Sequence, residues 1–71
     1  MTMPFERTRA VICTREFLRS LVDPVATSGV PDEVRRHAIQ LLRHYPSLGD
    51  MDIAHRACPQ WFGAPGETRK G

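Results

Sequence analysis

Apolar residues recur every three to four positions in three stretches of the chain, the spacing of an amphipathic helix. The first stretch predicts a helix over about residues 4–22. Pro4 suits a first helical turn, and Asp23 precedes a proline and so avoids the α region. Phe5 and Ile12 fall on the charged half of the helical wheel. The half expected to be buried contains Ala10, Val11, Cys13, Thr14, Phe17, Leu18, Leu21 and Val22.

The second and third stretches predict helices over about residues 31–45 and 50–58. Asp32 and Glu33 stand in the first turn of the second helix, where the helix dipole favours anions. Either Ser47 or Asp50 is expected to cap the third helix. The expected buried stripe of the second helix is Val34, Ala38, Leu41, Leu42 and Tyr45, with Ile39 at its margin. That of the third is Met51, Ile53, Ala54, Ala57 and Cys58.

These elements predict an all-α protein, a compact three-helix bundle with no strand. We expect a single helical domain over residues 1–62, ending in the aromatic pair Trp61-Phe62, and a disordered tail over residues 63–71, which are rich in Gly, Pro and charge. Phe5 and Ile12 need a cover. Either Trp61 and Phe62 fold back over them, or they form an exposed patch for a second copy or another partner.

The composition is that of a soluble globular chain. The 71 residues are 41% hydrophobic and 25% charged, and no apolar run approaches the roughly 20 residues that cross a bilayer. The N-terminus lacks the apolar stretch of a signal peptide, so we expect a cytoplasmic protein. In that compartment Cys13 and Cys58 are expected to be free thiols, with Cys58 a small buried hydrophobe.

No residue pattern typical of catalysis is present, and we expect neither an enzyme nor a cofactor or small-molecule ligand. His37 and His44 are seven residues apart, or ~10 Å along a helix, too far for one metal ion. His55 and Cys58 are better spaced, but a structural zinc site needs four ligands. We therefore expect no metal site.

The remaining functions are those of a binding protein. The net charge of +2 is low for a nucleic-acid-binding domain, and Asp32 and Glu33 are placed to pair with Arg36 on the basic face of the second helix. Protein contacts are favoured, either with an unknown partner or by self-association. Weak nucleic-acid binding through that basic face is the alternative, and no membrane contact is expected. The candidate interaction residues are Phe5, Ile12, Arg36, Arg43, His44, Trp61 and Phe62.

The segments "FERTRAV", "TREFL" and "VPDEVRRHAIQLLRHYP" occur in this order between residues 4 and 46. In these segments the chain resembles a family of small bacterial proteins of about this length, usually labelled conserved hypothetical. The resemblance implies a bacterial origin and a helical fold. It implies no activity, ligand or catalytic residue.

Overall fold

The computed structural model describes residues 2–68 and is helical, with no strand in that range. The helices are α1 (Pro4–Val22), α2 (Asp32–Leu42), α3 (Leu48–Ala57) and the single turn α4 (Pro65–Thr68). The all-α class and the three main helices are confirmed. None of the described helices combines the length and the apolar character needed to cross a bilayer.

Contacts between residues divide the chain into two compact units. The first unit contains the described residues of Met1–Cys13 and Pro46–Gly71, and the second contains Thr14–Tyr45. The first unit therefore holds the start of α1, together with α3 and α4. The second holds the end of α1, the following loop and α2. The single domain over residues 1–62 stays a prediction.

Helix α1 has the predicted length, and Val11, Leu18, Leu21 and Val22 of the half predicted to be buried are buried or half-buried. Its inward positions follow a regular three- and four-residue spacing, with Thr8 and Leu18 buried and the others half-buried: Pro4, Thr8, Val11, Arg15, Leu18 and Val22. Ile12, expected among the charges, is half-buried. The prediction of burial was wrong for Ala10, Cys13, Thr14 and Phe17, which are exposed. The inward side accepts a polar residue because the Thr8 hydroxyl has a hydrogen-bond acceptor inside the first unit.

Helix α2 ends three residues earlier than predicted and is rotated about its axis. Ala38 is buried and Arg35, Leu42 and Tyr45 are half-buried, whereas Val34 and Leu41 are exposed, contrary to prediction. The rotation follows from Arg35, whose guanidinium reaches two backbone carbonyls of the same unit. Beyond Leu42 the backbone tightens into a turn, because the N–H groups of residues 44 and 45 donate to carbonyls three positions earlier at 3.4 Å.

Helix α3 begins with a capping box that gives both candidate caps a role. Ser47 is the N-cap and its Oγ accepts from the Asp50 N–H at 3.1 Å, while the Asp50 carboxylate accepts from the Ser47 N–H at 2.9 Å. These two hydrogen bonds lower the pKa of Asp50 below its ordinary value.

The buried side of α3 also differs from the predicted one. Met51 is buried, and Leu48, Asp52, Ala54 and His55 are half-buried. Ile53, Ala57 and Cys58 are exposed, so their predicted burial was wrong. For Cys58 the reason is that the helix ends at Ala57 and the backbone there leaves helical geometry, with φ −140° and ψ 70°.

The C-terminal segment is partly ordered. The prediction of a disordered tail from residue 63 is corrected at residues 63–68. Gly63 is buried and hydrogen-bonded to Pro4 and Thr8, and α4 forms over residues 65–68 and contacts α3. The rest of that predicted tail, residues 69–71, lies outside the described residues.

Candidate interaction surface

The segment after α3 folds back onto the first turns of α1 and is pinned there at Gly63. The Gly63 N–H donates to the Pro4 carbonyl at 3.0 Å, and the Thr8 hydroxyl donates to the Gly63 carbonyl at 2.9 Å. A Cβ atom on Gly63 would lie 2.8 Å from the Phe5 Cα. The backbones are therefore too close for any side chain at position 63. Sequence reasoning missed Thr8 and Gly63, since neither residue type indicates a contact across 55 positions.

Trp61 is exposed but held in place. Its side chain is 60% exposed, and the guanidinium carbon of Arg7 lies 4.7 Å from the centroid of its ring. Arg7 also donates to the Thr2 carbonyl at 2.8 Å. The same guanidinium therefore contacts both the segment before α1 and the tryptophan. The Trp61 N–H donates to the Cys58 carbonyl at 3.0 Å, which fixes the backbone as well.

His55 provides a second anchor for this segment. Its Nδ1 lies 2.9 Å from the Phe62 carbonyl oxygen. A carbonyl oxygen only accepts, so the imidazole proton must sit on Nδ1 for this hydrogen bond to form. The bond ties Phe62, which is half-buried, to α3. Residue type and spacing do not predict this hydrogen bond for His55.

Three exposed apolar side chains lie on the segments joined in this way. Phe5 is 41% exposed, and Met3 and Trp61 are more exposed. Together these three residues, Met3, Phe5 and Trp61, are called the N-terminal aromatic surface below. They belong to segments that meet at Arg7 and Gly63. The fold-back expected for Trp61 and Phe62 does occur, but it places Gly63 against the Phe5 backbone and leaves Phe5 and Trp61 accessible.

The predicted interaction residues divide between the two units. Phe5, Ile12, Trp61 and Phe62 belong to the first unit, where Ile12 and Phe62 are half-buried. Arg36, Arg43 and His44 belong to the second unit, and all three are exposed.

The basic residues of α2 lie on an open surface. Among residues 2–68, Arg36 forms no ion pair with Asp32 or Glu33, although their spacing permits one. The ion pair that this part of the chain does contain joins Asp52 and Arg56 on α3 at 2.9 Å. His44 lies beyond the end of α2, so it does not continue the helical repeat that began at His37.

Arg35 is a structural residue that sequence reasoning did not identify. Its guanidinium donates at 2.7 Å to the Leu21 carbonyl and at 2.7 Å to the Thr27 carbonyl. The Thr27 hydroxyl in turn donates to the Ser20 carbonyl at 2.7 Å. The last carbonyls of a helix have no partner within it, so these donors close the end of α1. Position 35 is not distinguished in the sequence, because it lies among three other charged residues, Asp32, Glu33 and Arg36.

Within residues 2–68, no group of three or more His, Cys, Asp or Glu side chains is gathered closely enough to hold a metal ion. Cys13 and Cys58 are both free and exposed. No family model, curated protein or solved structure matches the chain. The resemblance to small bacterial proteins therefore stays a prediction.

Proposed function

We propose that this protein acts without catalysis, by binding another protein through the N-terminal aromatic surface. The observation that carries the proposal is Trp61, an exposed indole whose ring and backbone are both held by the rest of the first unit. Tryptophan is among the residues that contribute most to protein–protein binding. A side chain already fixed in the free protein loses less conformational entropy on binding.

The chemistry around Trp61 suits an apolar partner with some negative charge. Phe5 and Met3 add exposed apolar area on the segment that Gly63 and Arg7 join to Trp61, and the Arg7 guanidinium lies over the indole ring. Arginine pairs with carboxylates and stacks on aromatic rings. A partner helix or loop with an apolar anchor and a nearby carboxylate fits this surface.

The experiment is capture of binding partners from the source cells with the full chain as bait, comparing Trp61→Ser with Ile53→Ser. Ile53 is the matched control, because it is an equally exposed apolar residue (65%) of the same unit, on α3. We expect Trp61→Ser to lose the captured protein and Ile53→Ser to retain it. Equal capture by both variants would contradict the proposal, and circular dichroism would verify that both remain helical.

Nucleic-acid binding through α2 is the second candidate, and the open Arg36 and Arg43 side chains favour it. The same capture separates the two functions. Material held by phosphate contacts is released by nuclease. The amount captured also falls steeply as the salt concentration rises, because binding releases counterions. Material held by Trp61 resists both treatments. Bait that retains only nuclease-sensitive material would favour the nucleic-acid function.

A further inference from the structure

The segment between α3 and α4, residues 59–64, is called the strap below. It begins where α3 ends, at Cys58, whose backbone has left helical geometry. The buried residue of the strap is Gly63, which has no side chain, while its other residues are half-buried (Phe62 and Ala64) or exposed (Pro59, Gln60 and Trp61). Closing the strap therefore buries little apolar area, and the stabilisation from burial is roughly proportional to that area.

Polar contacts hold the strap against α1. The Gly63 N–H donates to the Pro4 carbonyl, and the Gly63 carbonyl accepts from the Thr8 hydroxyl. The Arg7 guanidinium lies over the Trp61 ring. Water replaces such partners when a contact opens, so each of these contacts stabilises the closed strap only modestly. Segments with few buried apolar contacts open locally at a lower free energy than the whole protein unfolds.

Other contacts of the strap are made with α3. The N–H groups of Trp61 and Phe62 both donate to the Cys58 carbonyl at 3.0 Å, and His55 bonds the Phe62 carbonyl. The helical turn α4, which follows the strap, also contacts α3. These contacts do not involve α1. The strap can therefore leave α1 while it remains attached to α3.

We propose that the strap opens away from α1 while the main helices stay folded, and that this opening switches the N-terminal aromatic surface. In the open state Trp61 has left Arg7 and the backbone of Phe5, so the surface exists only when the strap is closed. A partner that needs the whole surface binds the closed state and shifts the equilibrium toward it. The role as a switch rests on the function proposed for Trp61, whereas the opening itself does not.

The opening is tested by amide hydrogen exchange of the full chain, measured by NMR, with Gly63 and Leu18 as reporters. The Gly63 N–H bonds to Pro4 and is freed when the strap opens, whereas Leu18 is a buried residue inside α1. We expect the protection factor of Gly63 to be lower than that of Leu18 by about tenfold or more, as for a local opening.

Arg35→Ala separates local opening from global unfolding. Arg35 bonds Leu21 and Thr27 in the second unit, and these contacts persist when the strap opens. Its loss should speed exchange at Leu18 about fivefold or more and leave Gly63 unchanged. Arg36→Ala, a change at the exposed neighbour, should alter neither amide. Equal acceleration of Gly63 and Leu18 by Arg35→Ala would show that the strap opens only when the whole protein unfolds, and would overturn the proposal.

Gly63→Ala tests the switch. Its Cβ would lie 2.8 Å from the Phe5 Cα in the closed strap, so this variant favours the open state while Trp61 is still present. The amide at position 63 should lose protection about tenfold. In the capture experiment Gly63→Ala should retain less protein than Gly66→Ala, where a Cβ has nothing within 4 Å.

The two proposals fail in different ways. Equal capture by Gly63→Ala and Gly66→Ala, with protection lost at position 63, would contradict the role as a switch. Equal capture by Trp61→Ser and the natural protein would instead contradict the binding function. The exchange of Gly63 and Leu18 is measured on the free protein, so it tests the opening in either case.

Discussion

Gly63 shows how one residue determines where the aromatic segment lies. It has no side chain, and this allows its backbone to approach the Phe5 Cα and to hydrogen-bond both Pro4 and Thr8. Thr8 is fully buried, so its hydroxyl depends on the Gly63 carbonyl for a partner. An unpartnered buried hydroxyl would be costly. The position of Trp61 therefore follows from a glycine two residues later.

Gly63→Ala is expected to destabilise the fold by about 1–3 kcal/mol, since its methyl group would meet backbone atoms that cannot rotate away. Gly66→Ala is the control, because a Cβ there has nothing within 4 Å. Alanine also favours the helical turn α4 more than glycine does. Urea denaturation of the two variants measures the difference. A Gly63→Ala protein as stable as Gly66→Ala would show that the close approach to Phe5 is absent.

Among the elements, the end of α1 depends on Arg35. Its guanidinium spans the Leu21 and Thr27 carbonyls and so joins the helix to the following loop. In that loop Gly29 has a φ of 80°, the left-handed conformation that glycine adopts without strain. The second unit is thus held by polar contacts as well as by its buried apolar residues Leu18 and Ala38.

Arg35→Ala should lower the free energy of unfolding by about 1–3 kcal/mol, because two charge-assisted hydrogen bonds are lost from a half-buried site. Its neighbour Arg36 is exposed, and Arg36→Ala should change that free energy by no more than about 0.5 kcal/mol. Thermal denaturation of both variants makes the comparison. Similar losses for the two arginines would argue against a structural role for Arg35.

The start of α3 should weaken in acid. The pKa of Asp50 is lowered from 3.8 by its hydrogen bonds with Ser47, so the ionised form stabilises the folded state. That stabilisation is complete above pH 3.8 and is lost as the pH falls through the lower folded-state value. We expect the difference in stability between the natural protein and Asp50→Asn to be constant near neutral pH and to shrink below pH 3.8. A difference that persists unchanged in acid would contradict this, and NMR titration of the carboxyl group measures the pKa directly.

Helix boundaries were predictable where a residue forces them. Pro4 and the Asp23-Pro24 pair determined α1 to the residue. Pro46 prevents the helix from continuing beyond residue 45, but it does not require the helix to extend that far. Helix α2 in fact ends at Leu42. The cap of α3 was narrowed to Ser47 or Asp50 by residue type alone, and the capping box uses both.

For the whole molecule, the helical class was predictable but the buried sides were not. A chain of 71 residues with 41% hydrophobic residues has more apolar side chains than its small interior can hold. The buried apolar residues of the described chain are Leu18, Ala38 and Met51, while Phe17, Leu41 and Ile53 are exposed. When apolar residues occur on several sides of a helix, periodicity alone cannot select the inward one. Long-range contacts such as Thr8–Gly63 and Arg35–Leu21 make that selection.

The apolar side chains that do not fit into the interior remain on the surface, where they form the candidate interaction surface. Trp61 was identified from sequence as a candidate anchor because aromatic residues dominate binding sites. Arg7 was not identified, because its role in holding Trp61 depends on a contact that the sequence does not show: its guanidinium carbon lies 4.7 Å from the centroid of the indole ring. Val34 and Leu41 were predicted to be buried, and the structure leaves them exposed.

The hydrogen bond from Gly63 to Pro4 also affects where a purification tag should be attached, because it holds the segment of Trp61 against the start of α1. A purification tag fused before residue 2 would emerge close to Trp61, because Arg7 contacts both the Thr2 carbonyl and the indole ring, and it would compete with any partner for the same surface. Ser28 and Gly29, at the exposed tip of the loop between α1 and α2, belong to the other unit. An epitope inserted there leaves both ends native, so a failed capture with a terminal tag should be repeated with the label in this loop.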